Sequence, residues 1–438
     1  MPKSSMRKIA AASFAGAVME WYDFYVFGTA SALVFGRLFF PSTDPLTAMT
    51  ASFATFGVGF LARPLGGIVF GHIGDKIGRK ASLLATLIIV GLGTFLIGLL
   101  PVYETAGFWA PVMLVVLRLL QGFGVGGEYG GAALMTIEHA PMEKRGFWGS
   151  VPQSAASGGI LLATAVFALV TLLPQEELLS WGWRIPFLIS AIMLVIGLFI
   201  RLQIEETPEF KRSQERADRP KVPLFSLVRQ HPRNLVLAIG SRVAENVSAN
   251  IINTFALGYL TSSLMVDRSV PLTGMILASG LGFIACPIFG WLSDRVGHRV
   301  LYLCGAGFLM LAAFPFFMLL ETKSTALIIL AIVVVLTFGA VLMFSVQATF
   351  FSELFEPGVR YTGLSMAAQL SAVVGGFTPL IASRLLAAGN GTPWYVAAYM
   401  AAIALLSLVC AAMTSAREHQ PDPGPASIAA VGAGEATE

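Results

Sequence analysis

The sequence predicts an all-helical membrane protein of twelve transmembrane helices arranged as two pseudo-symmetric six-helix bundles. Three observations predict it. Of 438 residues, 56% are hydrophobic and 12% charged, with a mean hydropathy of +0.76; that is about half the charge of an ordinary soluble domain. A glycine-spaced basic stretch, Gly-His-Ile-Gly-Asp-Lys-Ile-Gly-Arg-Lys at 71–80, returns at 290–299 as Gly-Trp-Leu-Ser-Asp-Arg-Val-Gly-His-Arg, so Gly71, Asp75 and Gly78 recur at Gly290, Asp294 and Gly297 half a chain later. Glu138 and Arg145, seven residues apart, are echoed at the same separation by Glu353 and Arg360. Self-similarity at a fixed period marks a duplicated architecture.

A spanning helix needs about 20 apolar residues. Twelve runs qualify, at 10–36, 50–73, 82–101, 109–137, 149–173, 183–203, 234–262, 271–293, 300–320, 325–352, 362–387 and 393–415. The first is too long for a signal-peptide core and carries acids, so it reads as a span and not a leader. The longest hydrophilic stretch, 204–233, holds Pro208, Pro220, Pro223 and Pro232 among many charges. It is the expected linker between an N-terminal bundle (1–203) and a C-terminal bundle (234–415). Residues 416–438, rich in Pro, Gly, Ala and Glu, read as a disordered tail. Basic residues crowd one set of loops: Lys3, Arg7, Lys8, Lys76, Arg79, Lys80, Lys144, Arg145, seven between Lys211 and Arg233, then Arg295, Arg299, Arg360 and Arg417. Only Arg37, Arg268 and Lys323 fall on the other side. The asymmetry predicts that both termini and the linker are cytoplasmic.

Other function classes fit poorly. Cys286, Cys304 and Cys410 lie inside apolar runs without metal-site or disulfide spacing. His72, His139, His231, His298 and His419 sit at loops or segment ends and do not cluster, so no metal site is expected. A net charge of +3 is too small to suggest nucleic acid. Neither a catalytic constellation nor a soluble signalling domain is legible, so the chain is not read as an enzyme or a receptor.

Two six-helix halves joined by a cytoplasmic linker is the parallel-repeat plan of the major facilitator transporters. Residues 71–80 resemble that superfamily's signature between helices 2 and 3, and 290–299 its echo between helices 8 and 9. Glu-Trp-Tyr-Asp-Phe (20–24), Phe-Gly-Val-Gly-Phe-Leu-Ala-Arg-Pro-Leu-Gly-Gly (56–67), Arg-Leu-Leu-Gln-Gly-Phe-Gly-Val-Gly-Gly-Glu (118–128) and Ser-Trp-Gly-Trp-Arg-Ile-Pro-Phe (180–187) together resemble the metabolite:proton symporter family. That family includes shikimate, 2-oxoglutarate, citrate and proline/betaine carriers. Residues 254–259 and 314–321 are most similar to its shikimate branch.

A charge in hydrocarbon costs at least about 2.5 to 3.5 kcal/mol, so each one needs a partner, a wet cavity or a task. Glu20 and Asp23 share a face of helix 1, with Asp23 about twelve residues in and thus roughly 18 Å deep. Arg63 in helix 2, Arg118 and Glu128 in helix 4, and Arg242 and Glu245 near the entry of helix 7 complete the set. An acid in a low-dielectric cavity titrates nearer neutrality and can carry a proton; an arginine can grip a carboxylate through two parallel bonds. Asp23 is the first choice for proton coupling, followed by Glu20 and Glu128. Arg118 is the first choice for the substrate carboxylate, with Arg63 and Arg242 second. The competing reading is that these charges form structural ion pairs between helices. Gln153, Asn250 and Gln347 are further substrate contacts, and Asn246, Asn250 and Asn253 form a polar stripe on helix 7. Gly122, Gly126 and Gly130, four apart, predict close helix packing.

The signature residues read as a cytoplasmic gate comprising Gly71, Asp75, Gly78, Arg79, Glu138, Arg145, Asp294, Arg299, Glu353 and Arg360. The resemblance implies that Asp75 caps the start of helix 11 and that Arg79 joins a charge network. His298 stands where the first copy has Arg79, which predicts a weaker second latch. The expected function is proton-coupled uptake of a small organic acid by alternating access, in a bacterial inner membrane, by a monomer needing no cofactor beyond the proton gradient. The alternatives are a proline/betaine-type osmolyte symporter, although 416–438 lacks heptads, and an efflux carrier.

Overall fold

A computed structural model describes residues 3–42, 44–76, 79–126, 136–137, 140–202, 229, 231–355 and 360–414. Twelve long helices carry the described chain: α1 (3–39), α2 (45–76), α3 (Arg79–Gly98), α4 (Trp109–Gly126), α5 (Arg145–Val170), α6 (Ile185–Leu202), α7 (Pro232–Ser263), α8 (Ser269–Val296), α9 (His298–Glu321), α10 (Thr325–Ser352), α11 (Arg360–Ala388) and α12 (Trp394–Met413). Eleven are long and apolar enough to cross a bilayer; α1 is the twelfth, its hydropathy lowered by Glu20 and Asp23. Leucine, isoleucine and phenylalanine side chains such as Leu311, Ile284 and Phe199 stand exposed on the outside, as lipid-facing surface requires. Most of the linker, 204–228 and 230, and the whole tail, 416–438, lie outside the described residues.

The duplication read from two short motifs extends to the packing. Helix α1 packs on α5 as α7 packs on α11, α3 on α6 as α9 on α12, and α2 on α4 as α8 on α10. Between the halves α2 meets α11 and α5 meets α8, contacts that exchange when the halves are swapped. The buried apolar residues form two clusters, one drawn from the N-terminal half with Ala372 of α11, the other from the C-terminal half with Ala32, Met49 and Phe53 of α1 and α2.

Both signature stretches are less of a loop than the sequence suggests. The first is helical from Gly71 to Lys76 and again from Arg79; the second is helical to Val296 and again from His298. Gly297 alone turns the corner, at φ +102°, a conformation that a Cβ disfavours. The 180–187 stretch is a structural clasp: the Arg184 guanidinium donates to the Gly98 and Leu100 carbonyls at the end of α3, at 2.8 and 2.7 Å. Residues 254–259 and 314–321 also meet, through the Tyr259 hydroxyl donating to Glu321.

Candidate functional site

Two buried charges, Asp23 and Arg118, and two half-buried ones, Glu20 and Arg63, all from the N-terminal half, gather around Phe24. Glu20, Asp23 and Phe24 come from α1, Arg63 from α2 and Arg118 from α4; with Gln121 they line a cavity of about 10 Å³. A second cavity of about 40 Å³ lies between the halves, lined by Glu20, Phe24, Arg63, Arg242, Asn246 and Gln369 among others. Glu20, Phe24 and Arg63 face both. These spaces hold a few waters at most, far below the roughly 300 Å³ of a ligand pocket. Among the described residues, these midplane spaces are too small to admit a small organic molecule.

Arg118 is buried on α4 and held by contacts within its own half. Its Nη1 donates to Gln121 Oε1 at 3.3 Å and its Nε to the Phe56 carbonyl at 3.4 Å. The guanidinium stands 4.2 Å from the Phe27 ring centre, 5.1 Å from Phe56 and 5.5 Å from Phe24. Arg63 is 4.1 Å from the Phe60 ring and 5.2 Å from Phe24. Desolvated cation–π contacts of this kind contribute about 2 kcal/mol each, so aromatic rings replace much of the solvation that water would give. Arg118 lines only the smaller cavity, within one half; Arg63 and Arg242 line the cavity between halves. Arg242 is ten residues into α7, which starts at Pro232, and so about 15 Å deep. It sits at depth, not at a helix entry as its place in the sequence implied.

The amides divide. Asn246 faces the inter-half cavity and donates to Ser371 Oγ on α11 at 3.3 Å. Gln369 donates across the halves to the Gly126 carbonyl at 3.2 Å. Asn250 and Asn253 turn back on their own helix, donating to the Asn246 and Ala249 carbonyls, both at 2.9 Å. A π-turn over Ile251–Phe255 inserts a residue at this point, so the stripe read from a 3.6 period does not run on unbroken. Gln153 and Gln347 are buried on α5 and α10, helices that pack on each other; neither lines the two cavities. Glu128 and Glu138 lie outside the described residues.

The second signature forms a contact between α8 and α5. Asp294, at the end of α8, accepts from the backbone N–H groups of Gly146 and Phe147 at 2.6 and 3.0 Å, so it caps α5 across the halves, where the helix dipole favours an anion. A Cβ on Gly146 would stand 2.7 Å from Asp294 Oδ1, and one on Gly290 would meet the Gly146 carbonyl at 2.6 Å; the repeated glycine exists to let α8 touch α5. His298 Nδ1 is 2.8 Å from Glu353 Oε1, and its Nε2 is 3.6 Å from Asp294 Oδ1. The histidine thus lies between the two carboxylates. Arg299 donates to the Ala411 and Ala412 carbonyls at the end of α12, within its own half, and Arg360 Nε to the Phe355 carbonyl at 3.4 Å. The side chains of Gly71, Asp75 and Arg79 are not described and Gly78 is outside the described residues, as is the contact expected between Asp75 and α11.

This latch gives a direct prediction. Native Cys286 is buried between α8 and α5, with its Sγ 3.4 Å from the Ser150 carbonyl. Charge-assisted hydrogen bonds contribute about 1.5 to 3 kcal/mol, so Asp294→Asn should raise the maleimide labelling rate of Cys286 by about tenfold or more in a Cys304→Ser, Cys410→Ser background. An unchanged rate would mean that the cap does not hold this end closed.

Comparison with known proteins places the chain. The family model described as sugar (and other) transporter matches residues 8–225, and that described as MFS/sugar transport protein matches 140–389. The chain is 42% identical over 412 residues to the shikimate transporter of Escherichia coli strain K12, covering 93% of this chain and 94% of that one. It is 37% identical to the proline/betaine transporter of the same organism, covering 92% and 82%. In fold it is similar to the partially occluded inward-open xylose transporter of E. coli, with a TM-score of 0.74, 18% identity, and 96% and 100% of the two chains covered.

Proposed function

Because the chain belongs to the major facilitator superfamily, a family of multi-span membrane transporters and not of enzymes, we propose that it is a proton-coupled importer of a small organic acid. The observation that carries this reading is the pairing of two basic side chains from opposite halves, Arg63 and Arg242, at one inter-half cavity, beside a buried carboxylate, Asp23. A carboxylate held between Arg63 and Arg242, with Asn246 and Gln369 offering amides to hydroxyl or keto oxygens, draws the halves together around the substrate. Asp23 carries the proton, and Arg118, on the same small cavity, carries the compensating charge. Proton and substrate must favour the same occluded state, since coupling requires differential affinity. No cofactor is required: the proton gradient supplies the energy. The Asp294 latch and the corresponding residues of the first signature act at the cytoplasmic face of an inner membrane, with both termini and the 204–233 linker on that side, and one chain suffices for a cycle.

The test is pH-jump uptake in proteoliposomes with labelled shikimate, 2-oxoglutarate, citrate, proline and betaine, with and without a protonophore. Protonophore-sensitive accumulation of a carboxylate is the expected result. Similarity to the proline/betaine transporter supports the osmolyte reading as second; movement of the zwitterions alone would establish it and overturn the acid.

A further inference from the structure

Arg63 is held differently from its neighbour Arg118. Arg118 commits its Nε and one Nη to the Phe56 carbonyl and Gln121, whereas the Arg63 Nε is buried with no hydrogen-bond partner among the described residues. In place of an oxygen, Arg63 has the Phe60 ring, whose centre is 4.1 Å from its guanidinium carbon. Pro64 sets this pair. It has no N–H to return to the Phe60 carbonyl four residues back, and the helix is interrupted at Ala62, between the ring and the cation in sequence. The ring is 2% exposed and is walled by both halves. Phe24 and Phe56 stand 5.3 and 5.5 Å from it, centre to centre. Across the halves, Gly376 of α11 lies against it so closely that a Cβ there would overlap Phe60 Cδ2. The adjacent Gly375 makes similar room for α7, since its Cβ would meet Asn246 Cβ at 2.6 Å.

An aromatic ring attracts a cation through its quadrupole without supplying a lone pair, so the guanidinium beside it keeps its Nε–H for an incoming oxygen. A planar fork fixed in this way is pre-organised, and it loses less side-chain entropy on meeting a carboxylate. Arg63 also lines the cavity between the halves, as do Asn246 and Gln369. The seat of the ring on α11 therefore lies beside the groups that would face a ligand.

We propose that Phe60 is a positioning residue, seated by Gly376 across the halves, that holds the Arg63 guanidinium ready for the carboxylate of the substrate. The inference rests on the reading of Arg63 as a carboxylate ligand. The experiment measures counterflow KM and maximal exchange rate in proteoliposomes, with whichever of labelled shikimate, 2-oxoglutarate and citrate the wild type exchanges. Phe60 is replaced in turn by mono-, di- and trifluorophenylalanine, which keep the shape of the ring and progressively weaken its attraction for a cation, and by leucine. The series is repeated with Arg63→Gln. KM is expected to climb stepwise with fluorine number, to about tenfold for the trifluoro residue and for Phe60→Leu, while the maximal rate stays at the wild-type level because the ring acts on binding. With Arg63→Gln, KM is raised at the outset and fluorine adds nothing. A fluorine series with wild-type KM throughout overturns the proposal. So does a climb of equal size with Arg63→Gln, since the ring would then act through packing alone. The fluorinated residues decide the matter if Phe60→Leu fails to reach the membrane. Wild-type KM in Arg63→Gln itself would instead overturn the reading of Arg63 as the carboxylate ligand.

Discussion

Asp23→Asn is expected to abolish accumulation against a gradient while leaving counterflow exchange intact. One proton per substrate allows about tenfold accumulation for each unit of pH difference, or about 1.4 kcal/mol. A carrier that cannot load the proton falls to equal concentrations on both sides. Exchange survives because the loaded carrier can still cycle, with Asn standing permanently in for the neutral acid. The fold should tolerate the change, since Asp23 is buried with its Oδ1 lacking a hydrogen-bond partner among the described residues, and an isosteric neutral amide leaves no bare charge behind. The measurement is parallel uptake and counterflow in the same proteoliposomes. Full accumulation by the variant would remove Asp23 from the mechanism and turn attention to Glu20 and Glu128.

Gly122→Ala is expected to be the most damaging single methyl in the N-terminal half. Its Cβ would stand 1.7 Å from the Gly59 carbonyl oxygen, a backbone atom, and Gly126 is similar, with the Arg63 carbonyl at 2.0 Å. Helices α2 and α4 would have to separate by well over an ångström, and overpacking of this sort costs about 3 kcal/mol or more when backbone must yield. The same shift would displace Arg118, which passes over Gly59 so closely that a Cβ there would meet its Nε at 2.7 Å. Gly280→Ala is the control, since nothing lies within 4 Å of the position its Cβ would take. Thermal unfolding in detergent should show a melting point lowered by several degrees for Gly122→Ala and unchanged for Gly280→Ala. Equal melting of both would mean that α2 and α4 are not locked together by backbone contact.

The sequence made the fold legible because both of its strongest signals are physical necessities. A bilayer demands apolar runs of fixed length, and a duplicated gene leaves repeated glycines wherever two helices must touch. The charges of the site were also visible, since a charge in a hydrophobic run stands out. Their partners were not. Phe27, Phe56 and Phe60 look like any other apolar residues until they are found around two guanidiniums. Gln121 lay within reach, three residues after Arg118 and thus on its face. The depth of Arg242 was legible, since eight residues past the start of the run at 234 is already about 12 Å, but that count was not carried through. The π-turn at Ile251–Phe255 broke a periodicity that spacing alone presented as regular. His298 showed in the sequence only as a departure from the first copy; Glu353, which it meets, lies 55 residues away and gave no sign of the pairing.

Phe24 has a consequence for what the closed carrier prevents. It lines both midplane cavities, of about 10 and 40 Å³, and its ring lies 5.2 and 5.5 Å from the guanidiniums of Arg63 and Arg118. Protons leak through membranes along unbroken files of water, and a hydronium ion is repelled by fixed positive charge. Two small cavities with an aromatic ring and two guanidiniums at their junction are expected to oppose proton leakage in this state. Across 100 mV each stray proton would dissipate about 2.3 kcal/mol. An empty carrier built this way should hold the gradient and conduct protons only in the company of its cargo.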